Sequence, residues 1–117
     1  MSGRNQKVGA WGEGVAAKYL ENRNYSIVAR NVRTPYGEID IVAEKDGFTT
    51  FIEVKTRTSS SMGLPEISVT PRKQAHMLAA AESYAQENEI DHWQIDVIAV
   101  KGQPGREPGV IHFEQAL

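Results

Sequence analysis

The sequence predicts an α/β domain in which one mixed β-sheet is flanked by helices. Three observations carry that expectation: a helix-periodic opening, three β-rich stretches separated only by short turns, and a capped helix followed by an unbroken apolar strand. The order is α-β-β-β-α-β with a C-terminal edge strand. At 117 residues, 40% hydrophobic and 24% charged, the chain has the size and composition of a single domain, residues 1–117, with one core.

Residues 1–6 are polar and are expected to be a flexible lead-in. From about Gln6 to Asn22, Val8, Trp11, Val15, Tyr19 and Leu20 recur at helical spacing. This helix holds Gly9, Gly12 and Gly14, each costing up to about 1 kcal/mol relative to Ala in a helix interior. Glycines are tolerated there when another backbone must come close. Asn22-Arg23-Asn24 ends the helix, and Tyr25 to Val32 is β-branched and aromatic enough for a first strand.

Thr34-Pro35-Tyr36-Gly37 is a turn. Strands over about Glu38–Glu44 and Phe48–Thr56 follow, joined through Asp46-Gly47, a strong hairpin signal between apolar runs. The stretch Thr58 to Pro65 reads as a mobile loop, with Ser59 to Met62 a candidate segment for ordering on substrate. Thr70 and Pro71 supply an N-cap and a first helical residue. That helix runs to about Glu87 with Met77, Leu78, Ala81, Tyr84 and Ala85 on its buried side. Trp93 to Lys101 is a strand whose Val97-Ile98-Ala99-Val100 predicts burial on both faces. A Gly/Pro-rich loop, Gly102–Gly109, leads to an edge strand near Val110–Glu114.

Several classes of chemistry are poorly served by this composition. The absence of cysteine removes disulfides and thiolate metal sites and fits a reducing cytoplasm, the expected location. His76, His92 and His112 have no metal-ligand spacing, so any metal should be a hard ion held by carboxylates. There is no membrane-length apolar run, no signal core, no phosphate-binding Gly-x4-Gly-Lys loop and no dinucleotide fingerprint. The formal charge of −2 counts against indiscriminate nucleic-acid binding.

The informative segment is Gly37-Glu38-Ile39-Asp40 followed by Phe51-Ile52-Glu53-Val54-Lys55-Thr56-Arg57. With Asp46-Gly47 as a two-residue turn, Lys45 faces Phe48, Val42 faces Phe51 and Ile41 faces Ile52. Continuing outward, Asp40 falls opposite Glu53 and Glu38 opposite Lys55. Alternation then puts Glu38, Asp40, Glu53 and Lys55 on one face, with Ile39, Ile41, Ile52 and Val54 on the other. Like charges directly opposed across a ladder are destabilising. A divalent cation would supply a reason for them, since Mg²⁺ prefers oxygen ligands completed by water and substrate phosphates. Lys55, on the same face, would stabilise developing negative charge or orient the attacking water. The competing reading is a surface hairpin with solvated charges and an ordinary Glu38–Lys55 cross-strand pair.

These two motifs, with the opening Gly9-Ala10-Trp11-Gly12-Glu13 and Ala16 to Leu20, resemble the YraN family of small uncharacterised bacterial proteins. The resemblance extends through Thr70-Pro71-Arg72-Lys73 to Asp96-Val97-Ile98, nearly the whole chain. That family resembles Holliday-junction resolvases and the PD-(D/E)xK nucleases. The resemblance implies a restriction-endonuclease-like three-layer core, Asp40 and Glu53 as Mg²⁺ or Mn²⁺ ligands, and Lys55 as catalytic lysine. It further implies that Glu13 reaches the metal from the first helix. Two departures stand out: Ile39-Asp40 replaces the nominal Pro-Asp, and Trp93-Gln94-Ile95 lacks the arginine expected before Asp96.

Arg30, Arg33, Arg57, Arg72 and Lys73 border the hairpin or open the second helix and form a candidate phosphate-tracking rim. With no helix-turn-helix, zinc-finger or single-strand-reading signature, recognition of DNA by shape is expected, as for junctions, flaps or ends. The functional expectation is a metal-dependent DNA endonuclease; the alternative is a non-catalytic nucleic-acid-binding module acting with a partner. An interaction domain with no nucleic-acid role is a third class. Symmetric junction cutting calls for a homodimer. The near-neutral charge suits a protein partner that supplies specificity.

Overall fold

The structure is a computed structural model and describes residues 3–58 and 70–117, with side chains from residue 7 onward. Helix α1 (Gly3–Glu21) leads into three strands, β1 (Ser26–Thr34), β2 (Gly37–Lys45) and β3 (Phe48–Arg57). Helix α2 (Pro71–Glu87) then returns the chain to β4 (Trp93–Lys101), and β5 (Gly109–Phe113) closes the order. The five strands form one sheet in the order β1-β2-β3-β4-β5. Only β3 and β4 are parallel, as the α2 crossover requires; the other neighbours are antiparallel.

One helix covers each face. On the α1 side, Ala16, Ala17 and Leu20 pack on Ile41, Ala43, Ile52, Ile98 and Val100. On the α2 side, Ala80, Ala81 and Ala85 pack on Ile39, Val42, Phe51 and Ile95. The result is the three-layer mixed α/β core expected, consistent with the restriction-endonuclease-like architecture. Alanines dominate the buried face of α2, which lets that helix lie close to the sheet. Val97, Ile98, Ala99 and Val100 are all buried, because helices cover both sides of the sheet.

Several local expectations need correction. Helix α1 begins at Gly3, so residues 3–6 are helical rather than a loose lead-in. Polar residues such as Arg and Gln extend a helix at little cost without adding to its apolar stripe, so periodicity misses them. Strand β1 runs on to Thr34 and β3 to Arg57. Leu78 is 41% exposed, because the buried face of α2 is a narrow stripe of Ala80, Ala81 and Ala85 flanked by the partly buried Met77 and Tyr84. The expected loop lies outside the described residues from Ser59 to Pro65, as does the candidate substrate segment Ser59–Met62.

The hairpin turn is as expected, with Asp46 and Gly47 both at positive φ (53° and 77°). The register from it holds through Lys45↔Phe48, Val42↔Phe51 and Ile41↔Ile52. Beyond Ile41↔Ile52 the β2–β3 ladder stops. Asp40 does not face Glu53, and Glu38 does not face Lys55, as ladder partners. The register of β1 with β2 shifts between Ile27 and Ala29 and then holds, with Asn31 at φ 53° between Arg30↔Ile41 and Val32↔Ile39. Past Asn31, Ile39 packs with Val42 and Phe51 on the α2 side, whereas Ile41, Ile52 and Val54 pack on the α1 side. The expectation that Ile39 shares a face with those three therefore fails.

Candidate active site

The site occupies the place where β2 and β3 separate. The Val54 N–H, which lacks a ladder partner on β2, donates instead to Asp40 Oδ2 at 2.8 Å. One carboxylate oxygen thus replaces a strand carbonyl, and Asp40 is held in the gap. Parallel pairing with β4 (Glu53↔Val97, Val54↔Ile98, Lys55↔Ala99) keeps the other edge of β3 rigid. Glu53, with Glu38, lines a small slot against Met77 and Ala80 of α2, which places it on the α2 side. Lys55 follows two residues later, its Nζ 3.7 Å from Glu53 Oε2. Its ammonium also meets that of Lys73 in the first turn of α2.

Glu13 arrives from the other helix. Gly12 is buried against β3: an added Cβ would overlap the Thr56 hydroxyl oxygen and lie 3.0 Å from Thr56 Cβ. The missing side chain lets α1 approach the strand closely, and Glu13 is carried in beside it. Its Oε1 lies 3.9 Å from Arg30 Nη2, and the Asn31 side chain hydrogen-bonds the carboxylate. The left-handed backbone of Asn31, common for this residue type, therefore sits next to the site it serves.

The electrostatics follow from crowding. Asp40 is pushed up to about 7 from an ordinary 3.8, first by burial, then by Glu53, with Glu13 and Glu38 adding to it. The Val54 hydrogen bond opposes this and is outweighed. Glu13 is raised by burial, against Arg30 and Asn31, with Glu38 and Glu53 pushing the same way. Lys55 is lowered mainly by burial and by Lys73, while Glu53 works to keep it charged. Asp40, Glu53 and Glu13 are therefore within electrostatic reach of one another.

Two observations bear on whether these residues suit a divalent ion. Their donors are hard carboxylate oxygens, and their mutual repulsion is what such a cation would relieve. Yet among the described residues no three of His, Cys, Asp or Glu are grouped closely enough to hold a metal. Each carboxylate is drawn to a partner of its own instead. The donor chemistry fits Mg²⁺ or Mn²⁺, whereas the resting side-chain positions do not converge on one point.

The basic residues are distributed unevenly. Arg30 and Lys73 touch the site through Glu13 and Lys55. Arg33, its side chain 91% exposed, pairs outward with Glu38 at 3.9 Å. Arg57 is exposed at the end of β3, and Arg72 is exposed in the first turn of α2. Thr70 caps that helix by accepting the Lys73 N–H at 3.2 Å.

A second polar cluster was not anticipated. Asp96, fully buried, lies 2.7 Å from His112 Nε2 through Oδ2. Its Oδ1 accepts Gln94 Nε2 at 2.9 Å and the Gln115 N–H at 3.0 Å. His112 Nδ1 is 3.2 Å from the Tyr19 hydroxyl. This network ties β5 and the C-terminal residues to β4 and α1. The one sequence signal for it was an Asp inside the apolar run of β4. Gln94, in the stretch before Asp96 where an arginine was expected, serves this cluster.

The layered mixed sheet is consistent with a restriction-endonuclease-like core, and the family relationship supports a nuclease-like ancestry. The chain belongs to uncharacterised protein family UPF0102, whose model matches residues 12–100. This small bacterial family is related to the PD-(D/E)xK and Holliday-junction-resolvase fold group. A UPF0102 protein of Dehalococcoides mccartyi is 45% identical over 120 residues, covering 100% of this chain and 98% of its own. Another, from Chlorobaculum parvum, is 50% identical over 112 residues, covering 93% of this chain and 86% of its own. Among solved structures, Pyrococcus furiosus SfsA in complex with Ca²⁺ aligns with 94% of this chain at 15% identity and a TM-score of 0.43. This chain spans 63% of that structure, a likeness too slight to bear on function. No helix among the described residues is long and apolar enough to cross a membrane.

Proposed function

We propose that the protein is a metal-dependent endonuclease that hydrolyses DNA phosphodiester bonds, with branched or junction DNA as its substrate class. The observation that carries this reading is the gathering of Asp40, Glu53 and Glu13 around the β2–β3 split, with Lys55 beside them. Burial, with neighbouring carboxylates adding to it, raises Asp40 and Glu13, and such perturbation concentrates at functional sites. The family relationship supports the same direction.

In this reading Asp40, Glu53 and Glu13 hold Mg²⁺ or Mn²⁺. When bound, the ion supplies Lewis acidity at a phosphoryl oxygen and lowers the pKa of water. Lys55, fixed by Glu53, places positive charge where the pentavalent phosphorus gathers negative charge. Asp40 keeps its place through the Val54 N–H, so one oxygen is anchored while the other is left to bind. Arg30, Arg33, Arg57, Arg72 and Lys73 track the backbone phosphates and set register rather than base sequence. Cutting two strands of opposite polarity calls for a homodimer, and the net charge of −2 fits DNA binding assisted by a partner protein.

The test is a calorimetric titration of Mn²⁺ into wild type and Asp40→Ala, followed by incubation of both with labelled linear and four-way-junction DNA. Saturable binding and cleavage in wild type, both lost in the variant, are expected. Metal silence and intact DNA in both proteins would overturn the nuclease reading.

A second reading is a non-catalytic nucleic-acid-binding module acting with a partner. One observation favours it: the three-carboxylate group is not closed among the described residues. It predicts that Asp40→Ala binds junction DNA as wild type does and that neither protein cleaves it.

A further inference from the structure

The acidic residues around Asp40 share a pattern: each is paired with a cation from this same chain. Glu13 faces Arg30 at 3.9 Å, Glu53 faces Lys55 at 3.7 Å and Glu38 faces Arg33 at 3.9 Å. Asp40, without such a cation among the described residues, is held by the Val54 N–H. These internal pairings coincide with the failure of the carboxylates to converge.

The pairing has a thermodynamic consequence for a protein that meets a metal and a phosphodiester at one place. A divalent cation seeks the carboxylate half of each pair, and a phosphate seeks the cationic half. Either ligand alone must break a pair and leave its other member uncompensated. Both together exchange one set of ion pairs for two. Of the two pairs that include a proposed metal ligand, Glu13–Arg30 is the more able to make that exchange. Arg30 stands on the edge strand β1, its side chain 40% exposed, so its guanidinium has room to turn outward to a phosphate. Glu13 is the more enclosed partner, its side chain 18% exposed, and stays beside Asp40 and Glu53. Arginine also matches phosphate geometry with two parallel N–H donors, as it does a carboxylate.

We propose that Arg30 is a built-in counter-ion for Glu13 that a DNA phosphate draws away, so that DNA and divalent metal bind cooperatively and the site is completed only on substrate. This regulation rests on the nuclease reading. It gives a metal-free protein whose charges are locally balanced, and it ties metal capture to the presence of a phosphodiester. Linkage makes the effect reciprocal: the factor by which DNA tightens metal equals the factor by which metal tightens DNA.

The experiment measures Ca²⁺ affinity by calorimetry for the protein alone and for the protein saturated with a short DNA duplex, with the heat of Ca²⁺ into duplex subtracted. The reciprocal DNA titration is run with and without Ca²⁺. For wild type, each ligand should tighten the other by about tenfold, within the usual range of coupling between sites. In Arg30→Gln, Ca²⁺ alone should bind several-fold more tightly than in wild type, and the coupling factor should fall toward one. Arg106→Gln, at an exposed position in the β4–β5 loop, should behave as wild type. Far-ultraviolet circular dichroism checks that each variant is folded, and the wild-type coupling alone decides the matter if Arg30→Gln is not. Ca²⁺ affinity unchanged by DNA would overturn the proposal while leaving a metal-binding nuclease standing. Failure of Ca²⁺ to bind in either condition would overturn the nuclease reading and this proposal together.

Discussion

Asp40→Asn should make the protein more stable at mildly alkaline pH while removing its capacity for metal. The Asp40 carboxyl stands at about 7 in the folded chain against 3.8 ordinarily, chiefly through burial and then Glu53. Where a folded-state pKa is raised, the native state holds a proton that the unfolded chain has already released. Stability therefore falls as pH rises from about 4 to about 7 and stays reduced above that range. At about 1.4 kcal/mol for each pH unit between the two values, ionising Asp40 costs the native state up to about 4 kcal/mol. Solvent screening and relaxation of the site bring a realistic figure nearer about 2 kcal/mol.

Asparagine removes the ionisation, and its carbonyl oxygen still accepts the Val54 N–H. The assay is urea denaturation followed by tryptophan fluorescence, at about pH 5 and about pH 8, for both proteins without divalent ions. Near pH 5, where the unfolded carboxyl is already ionised, the variant should be ahead by only part of the full difference. Near pH 8 the variant should be more stable by about 2 kcal/mol, and added Mn²⁺ should stabilise wild type alone. Equal stabilities near pH 8, or a wild type that gains stability from pH 5 to pH 8 relative to the variant, would refute the assignment of a destabilising carboxylate cluster.

Three further outcomes follow from particular contacts. Gly12→Ala should destabilise by about 1–3 kcal/mol through overlap with Thr56, and adding Thr56→Ala should recover part of the loss, as thermal melts would reveal. His112→Ala should cost about 3–5 kcal/mol in urea denaturation, because it strips the fully buried Asp96 of its closest partner. Lys55→Met should keep metal affinity within a few-fold and lower single-turnover DNA cleavage by about 100- to 1,000-fold, which separates its role from that of the carboxylates.

Much of this architecture was readable because its signals are local. Asp46-Gly47 must take positive φ at both positions to close a tight hairpin, and that single constraint set the register through Ile41↔Ile52. Thr70-Pro71 fixed the start of α2 through a cap and a preset φ, and the unbroken Val97–Val100 run announced a strand covered on both sides. The residues of the candidate site were also named in advance, though by family resemblance as much as by pattern. What escaped was the geometry of the site itself. A register extended by counting assumes a regular ladder, and Asp40 interrupts it by accepting the Val54 N–H with its side chain. Asn31, unremarkable in sequence, adopts a left-handed conformation that coincides with the displacement of Ile39 to the other face. The Gly12–Thr56 approach and the Asp96–His112–Tyr19 network join residues far apart in the chain, so no local periodicity records them. Leu78 was misplaced because a helix packed through alanines has a narrower buried stripe than hydrophobicity alone suggests.

The measurement that bears most directly on the central claim is cleavage of a labelled four-way DNA junction by purified wild type in Mn²⁺, beside Asp40→Asn and Lys55→Met. The account predicts metal-dependent incision by wild type, none by Asp40→Asn, and only slow incision by Lys55→Met. Incision that persists undiminished in Asp40→Asn, or an uncut junction with wild type under saturating Mn²⁺ and bound DNA, would contradict it.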